Sequence, residues 1–209
     1  MPGAWMDKVM AQTVTKPASY DDLLAVPDNL VAEIIFGVLE THPRPPPPHA
    51  FSGHSLGVEL TNPFQNGRGG PGGWVFAAEP ELHLGPHVVV PDLAGWRVET
   101  LPYMPETAYI ETPPDFVCEI PSPSTLKLDR GAKRRIYATF KIGHLWLLDP
   151  VAKFLEVFEL RDEQWLLFDS FTEEDEVKAL PFDAVPFAMK HLWPLPPAPE
   201  RAAAEPEQG

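Results

Sequence analysis

The chain is short of cysteine, of positive charge and of long apolar runs, and each shortage removes a class of function. Cys118 is the one cysteine in 209 residues, so an internal disulfide framework and a thiolate zinc cluster are both excluded. It lies in an apolar stretch with no basic neighbour and reads as a small buried hydrophobe. Five of the seven histidines (His42, His49, His54, His83 and His87) show no helix-borne pair or tight cluster of the kind that holds zinc. No apolar run is long enough to cross a bilayer, and Met1 to Thr15 lacks the charged start, apolar stretch and small-residue cleavage site of a signal peptide. A cytoplasmic location is the expectation. With 16 Lys and Arg against 30 Asp and Glu, the formal charge is -14, which disfavours a protein that coats nucleic acid by charge alone.

The charge that is present is unevenly placed. Lys127 to Lys141 holds six basic residues (Lys127, Arg130, Lys133, Arg134, Arg135, Lys141) against the single acid Asp129. From Pro150 to Asp183, ten acids face Lys153, Arg161 and Lys178. The only basic patch is therefore next to the stretch that carries the candidate carboxylates, although a solvated helix face explains it as well. The 27 prolines punctuate the chain at His42 to Pro48, Leu101 to Pro114 and Leu195 to Pro206. The first two read as surface connections and the last as a disordered tail, giving an N-terminal segment (1–18), one domain (19–194) and a Pro/Ala/Glu-rich tail (195–209). Gly69 to Gly73 is a flexible loop and not a phosphate cradle, because no Gly-Lys-Ser/Thr follows.

Hydrophobic periodicity assigns the elements. Tyr20 to Val26 predicts a short helix capped by Ser19, Val31 to Glu40 a buried strand or hairpin arm, and His49 to Leu60 a helix carrying Leu56 and Leu60 on one face. Trp74 to Leu84 and Val88 to Trp96 predict two adjacent strands, Asp115 to Ile120 a third and Leu145 to Leu148 a fourth. Phe154 to Leu160 and Trp165 to Ser170 form a hairpin turning at Arg161 to Gln164. Between the third and fourth strands, Lys133, Ile136, Tyr137 and Phe140 share one side of a helix, which favours a parallel strand pair with a right-handed crossover. The sum is an α/β (α+β) domain with a mixed sheet.

Two carboxylates at the ends of these strands stand out. Asp92 follows Val88-Val89-Val90 and Pro91, where a strand gives out at a ligand-binding edge. An Asx-type turn is the other reading of the same residue. Glu119 lies inside an apolar strand, where an ionised carboxylate costs several kcal/mol unless paired or bound to metal. Alternation puts Val117, Glu119 and Pro121 on one face and Phe116, Cys118 and Ile120 on the other. With Lys133 nearby, this is the minimal kit for divalent-metal hydrolysis of a phosphodiester, while a structural pair between Glu119 and Lys133 or an arginine remains open. Glu79 and Glu81 share a strand face and either add acidity near a metal or are simply solvated, and Tyr137 reads as core packing.

The string PDFVCEIPSPST, followed by Asp129, Lys133, Tyr137 and LWLLDP, resembles the restriction-endonuclease-like family of the PD-(D/E)xK nuclease superfamily. Upstream, Glu33-Ile34-Ile35-Phe36-Gly37, the proline run ending in His49 and GGWVFAAEPELHLG before VVVPDL extend the resemblance over roughly Tyr20 to Phe171. It implies a restriction-endonuclease-like fold, a central mixed sheet flanked by helices. It also implies that Asp92 and Glu119 ligate Mg²⁺, for which Mn²⁺ could substitute, with the main-chain carbonyl of Ile120 as a third ligand and Glu33 as the upstream acid. The superfamily lysine falls two residues after the glutamate, where this chain has Pro121, so Lys133 is its substitute from the following helix.

The implied activity is Mg²⁺-dependent endonucleolytic hydrolysis of DNA, with Lys133 orienting the nucleophile and Arg130, Arg134 and Arg135 contacting backbone phosphates. Two other classes stay in view. One is a nuclease-fold module that binds nucleic acid or protein without cutting, which Pro121 and the net charge favour. The other is a structural protein in which the Phe154 to Ser170 hairpin pairs across a two-fold axis to make a homodimer.

Overall fold

Ser19 starts the first helix of the computed structural model, which describes residues 16–194. Its hydroxyl accepts from the N–H of Asp22 while the Asp22 carboxylate accepts the N–H of Ser19, a capping box that fixes α1 (Tyr20–Leu24). The expected tail and the first fifteen residues lie outside the described residues. Next comes a hairpin, β1 (Leu30–Ile35) with β2 (Val38–Pro43), turning at Phe36 and Gly37, both at positive φ. A two-residue turn of that kind matches the twist of the strands it joins. α2 (Pro47–Leu60) starts inside the proline run and not at His49, because the first helical turn needs no internal N–H and tolerates proline. One π-helical turn, Thr61–Gln65, continues it.

The two strands expected between Trp74 and Trp96 are four: β3 (Trp74–Ala78), β4 (Leu82–Leu84), β5 (His87–Val89) and β6 (Leu93–Arg97). Glu79 at positive φ next to Pro80 breaks the first run, and Pro91, which has no N–H for a ladder, breaks the second. The fragments then part company. β4 and β5 join the first hairpin in a four-stranded sheet of order β2-β1-β5-β4, whereas β3 and β6 pair with each other in the larger sheet.

That larger sheet has the order β10-β9-β8-β7-β6-β3, formed with β7 (Phe116–Glu119), β8 (His144–Asp149), β9 (Phe154–Arg161) and β10 (Gln164–Thr172). β7 and β8 are parallel and the other neighbours antiparallel, so the sheet is mixed. The crossover between β7 and β8 is a π-helical turn, Leu128–Lys133, running into α3 (Arg134–Thr139). β11 (Glu176–Val177), β12 (Phe187–Ala188) and a final 3-10 turn, Met189–Leu192, complete the described chain.

Strand alternation sorts the core onto two faces. Phe116, Cys118 and Ile120 pack with Leu56 and Leu60 of α2, Trp146 and Phe182, while Val117, Leu145 and Leu147 pack with Ile136 and Tyr137 of α3 and with Trp96. Each fully buried large apolar side chain contributes roughly 1.5–3 kcal/mol, so helices on both faces hold the sheet. The result is an α+β architecture in which the start of β6 and the end of β7 in the central mixed sheet meet the end of β5 from the smaller sheet near the start of α3.

Candidate active site

Asp92 stands one residue before Leu93, whose partner across the sheet is Cys118, so Asp92 is level with Glu119 at the end of the β6–β7 ladder. Its carboxylate does not close a turn on its own backbone. One oxygen accepts the N–H of Ile120 at 2.6 Å and the other lies 2.6 Å from Nε2 of His49 on α2. Asp92 is thus clamped between the neighbouring strand and a helix from the opposite face of the sheet.

Glu119 points to the α3 side, as alternation predicts. Nζ of Lys133 lies 2.8 Å from one of its carboxylate oxygens and 3.0 Å from the other, and the Tyr137 hydroxyl donates to it. The same ammonium lies 3.1 Å from Glu33 and 3.5 Å from Asp129 and donates to the Val90 carbonyl at 3.1 Å. Glu33 in turn accepts the N–H of Val90 at 2.7 Å and has His42 at 3.6 Å. Glu33, Glu119, Asp129 and Lys133 are all buried, at 1, 1, 3 and 2 % exposure, so one ammonium serves three carboxyls away from water.

Burial alone would raise the Glu33 carboxyl, but Lys133, His42 and the Val90 N–H outweigh it and bring it down to about 2. For Glu119 burial wins over the pull of Lys133, and the charges of Asp129, Asp92 and Glu33 add to it, so the carboxyl is held well above the usual range. Asp129 is raised for the same reason, burial first. The surrounding carboxylates overcome the burial of Lys133 and keep it an ammonium. The cluster therefore carries more negative charge than its single lysine neutralises, and it must take up a proton or a further cation.

Asp92, Glu119, Lys133, Glu33 and Ile120, chosen from the sequence, meet in one place. Arg130, Arg134 and Arg135 do not join them: Arg130 pairs with Glu156, Arg134 lies 4.4 Å from the Phe158 ring centroid and Arg135 lies 5.3 Å from that of Phe36. Sequence reasoning missed Asp129 as a partner of Lys133, although their i,i+4 spacing was visible, and it took Tyr137 for packing alone. Tyr137 does both, since its ring is in the core while its hydroxyl holds Glu119. Glu79 and Glu81 are not on a strand. Both line the cleft, and Glu81 accepts from Tyr20 at 2.8 Å and lies 2.7 Å from Nε2 of His83.

The carboxylates of Asp92 and Glu119 open on a cleft of about 590 Å³ whose lining also includes Lys133, Asp129, His42, His49 and Arg44. The profile of the putative restriction endonuclease family (Uma2) matches residues 17–189. The chain belongs to this family. The crystal structure of a putative nuclease from Anabaena variabilis superposes with a TM-score of 0.66 at 21% identity, covering 85% of this chain and 98% of that one, and this likeness is one of fold. Comparison with curated proteins finds no match. In this family member, Pro121 stands two residues beyond Glu119, past the end of β7, and the lysine on Glu119 comes from the turn before α3.

Hard oxygen donors and surplus negative charge are what Mg²⁺ requires, and Asp92 and Glu119 supply both. Among the described residues no three Asp, Glu, His or Cys side chains form a ready cation cage. A pair of carboxylates suffices for Mg²⁺, which keeps several waters and takes further oxygens from a bound phosphate. In kind, the residues fit the ion.

Proposed function

We propose that the protein is a Mg²⁺-dependent endonuclease that hydrolyses phosphodiester bonds in DNA. The observation that supports this most is the placing of Asp92 level with Glu119 in the lining of one cleft, with the Lys133 ammonium 2.8 Å from Glu119. Asp92 and Glu119 would hold the ion, with the Ile120 carbonyl and Glu33 as further oxygen donors, and Mn²⁺ would substitute. When bound, the ion would lower the pKa of a water and polarise the scissile phosphate. His49 and the Ile120 N–H keep the Asp92 carboxylate in place, and Tyr137 does the same for Glu119. Lys133 carries a fixed positive charge in a water-poor site, where it can orient the attacking oxygen and offset charge that develops on the phosphate. Arg130, Arg134 and Arg135 lie on the α3 flank outside the cleft, engaged by Glu156 and by the rings of Phe158 and Phe36, so the backbone-phosphate contacts expected of them are not proposed.

Calorimetric titration with Mn²⁺ and cleavage of circular DNA, both plasmid and single-stranded circles, test this reading. Uptake of the ion and opening of the circles, both lost in Asp92→Ala, are expected. A wild-type protein that neither takes up the ion nor cuts either circle is no nuclease. A second reading, a nuclease-fold module that binds without cutting, is favoured by Pro121 and by the net charge of -14. Cation uptake without cleavage would select it.

A homodimer is proposed on a separate observation. β10 is an outer strand of the six-stranded sheet, has no Lys, Arg or Pro to guard its edge, and exposes Leu166, Leu167 and Phe168. Pairing with a second β10 would cover them. Light scattering during size exclusion decides, and a monomer at micromolar concentration would rule the dimer out.

A further inference from the structure

The walls of the cleft differ from its floor. Leu24, Val26, Pro27, Leu30, Pro45 and Pro123 make the walls apolar, while Asp28, Glu79 and Glu81 add acids to the carboxylates below. Of the Lys and Arg residues in the lining, Lys133 is consumed by its three carboxyls, which leaves Arg44. Arg44 is well placed to act. Pro43 and Pro45 stiffen the chain on either side of it, its Nε donates to the Asp28 carbonyl at 3.0 Å, and among the described residues its guanidinium enters no ion pair.

Charge and volume together restrict what can enter. Proteins that hold duplex DNA through its backbone typically neutralise about 6–10 phosphates, and this cleft offers one uncommitted guanidinium on an acidic rim. Its volume of about 590 Å³ is that of a small-ligand pocket, in which one group of drug size is enclosed by apolar walls and oriented by a few polar ones. A base taken out of its stack needs such a wall. We propose that the cleft receives one unpaired nucleotide of a nucleic-acid strand, its base against the Leu24, Val26, Pro27 and Pro45 wall and its phosphate on Arg44. The substrate of the nuclease proposed above is then a single or separated strand and not an intact duplex. This inference rests on the phosphodiester reading of the site and adds the class of substrate.

Fluorescence anisotropy with a short labelled oligodeoxynucleotide, its RNA counterpart and a hairpin duplex of the same sequence tests the proposal, with Ca²⁺ in place of Mg²⁺ and again in EDTA. The unpaired strand, DNA or RNA, is expected to bind at least about tenfold more tightly than the duplex, the scale of burying one apolar group. One phosphate contact gives a salt slope near -0.7, against about -5 or steeper for a duplex held by six or more contacts. Arg44→Ala should flatten that slope, and the uncharged Leu24→Asn should weaken binding without changing it. Equal or tighter duplex binding, a slope of several ions, no binding of an unpaired strand in either medium, or silence of both variants would overturn the proposal. A protein that takes up Mn²⁺ yet prefers the duplex sinks this inference alone, whereas one that takes up no cation sinks the nuclease reading.

Discussion

Lys133 and Glu119 form a buried ion pair, 2.8 Å between Nζ and Oε1, and that lysine also lies 3.1 Å from Glu33. The pair joins the start of α3 to the end of β7, so the cation to which the proposed chemistry assigns a role is also part of what holds the crossover onto the sheet. Removing one member of a buried pair leaves the other charge uncompensated, at a cost of about 3–5 kcal/mol. Lys133→Met is expected to lower the unfolding free energy by that amount in urea titration. A loss under about 1 kcal/mol would show that the cluster simply neutralises itself by taking up protons.

Asp92→Asn separates the site from the fold. Asparagine keeps a carbonyl oxygen for the Ile120 N–H but loses the charge. The variant should retain the wild-type circular dichroism spectrum and thermal midpoint within a few degrees, while Mn²⁺ affinity falls at least about tenfold, or roughly 1.4 kcal/mol. Unchanged affinity would take Asp92 out of the metal site.

Acid stability should carry the signature of Glu33. Its carboxyl moves from 4.5 down to about 2 in the folded protein, so it contributes stability above the unfolded value and loses it as pH falls from about 4.5 toward 2. At about 1.4 kcal/mol per pKa unit, the full contribution is about 3 kcal/mol. Glu119 has the opposite sign, because a raised carboxyl contributes stability at low pH and loses it as pH rises through its folded value. The comparison that isolates Glu33 is wild type against Glu33→Gln. Their difference in unfolding free energy should shrink as pH is lowered from about 5 to about 3, and a constant difference would show that Glu33 is not the titrating group.

Gly95 in β6 has a packing reason to lack a side chain. A Cβ there would meet Cε1 of Phe76 at 2.8 Å and Cδ1 of Phe116 at 3.3 Å. Gly95→Ala should cost about 1–3 kcal/mol, the usual penalty for overfilling a close-packed core, with no change in cation affinity relative to the folded fraction. A neutral result by chemical denaturation would mean that the Phe76 ring swings away freely.

The chain by itself determined the elements whose periodicity is local: the Ser19-capped helix, the crossover from β7 through α3 to β8, and the hairpin of β9 and β10. The run over Val31 to Glu40, read as one strand or hairpin arm, is instead divided between β1 and β2 at Phe36 and Gly37. Alternation along Phe116–Glu119 was enough to assign Glu119 to one face, because a strand admits two sides only. Pro91 and Pro80 were legible as residues but not as boundaries between two sheets. Whether a strand fragment pairs with β1 or with β7 depends on partners far away in the chain. Tertiary structure alone decided the rest. It decided between the two readings open for Asp92 in favour of a carboxylate clamped by His49 and Ile120, directed the arginines of α3 away from the cleft, and gathered Glu33, Glu119 and Asp129 around Lys133. Glu33 and Lys133 lie a hundred positions apart, and no pattern of spacing registers a charge pair of that span. Coulomb attraction acts through space, and only folding sets that distance.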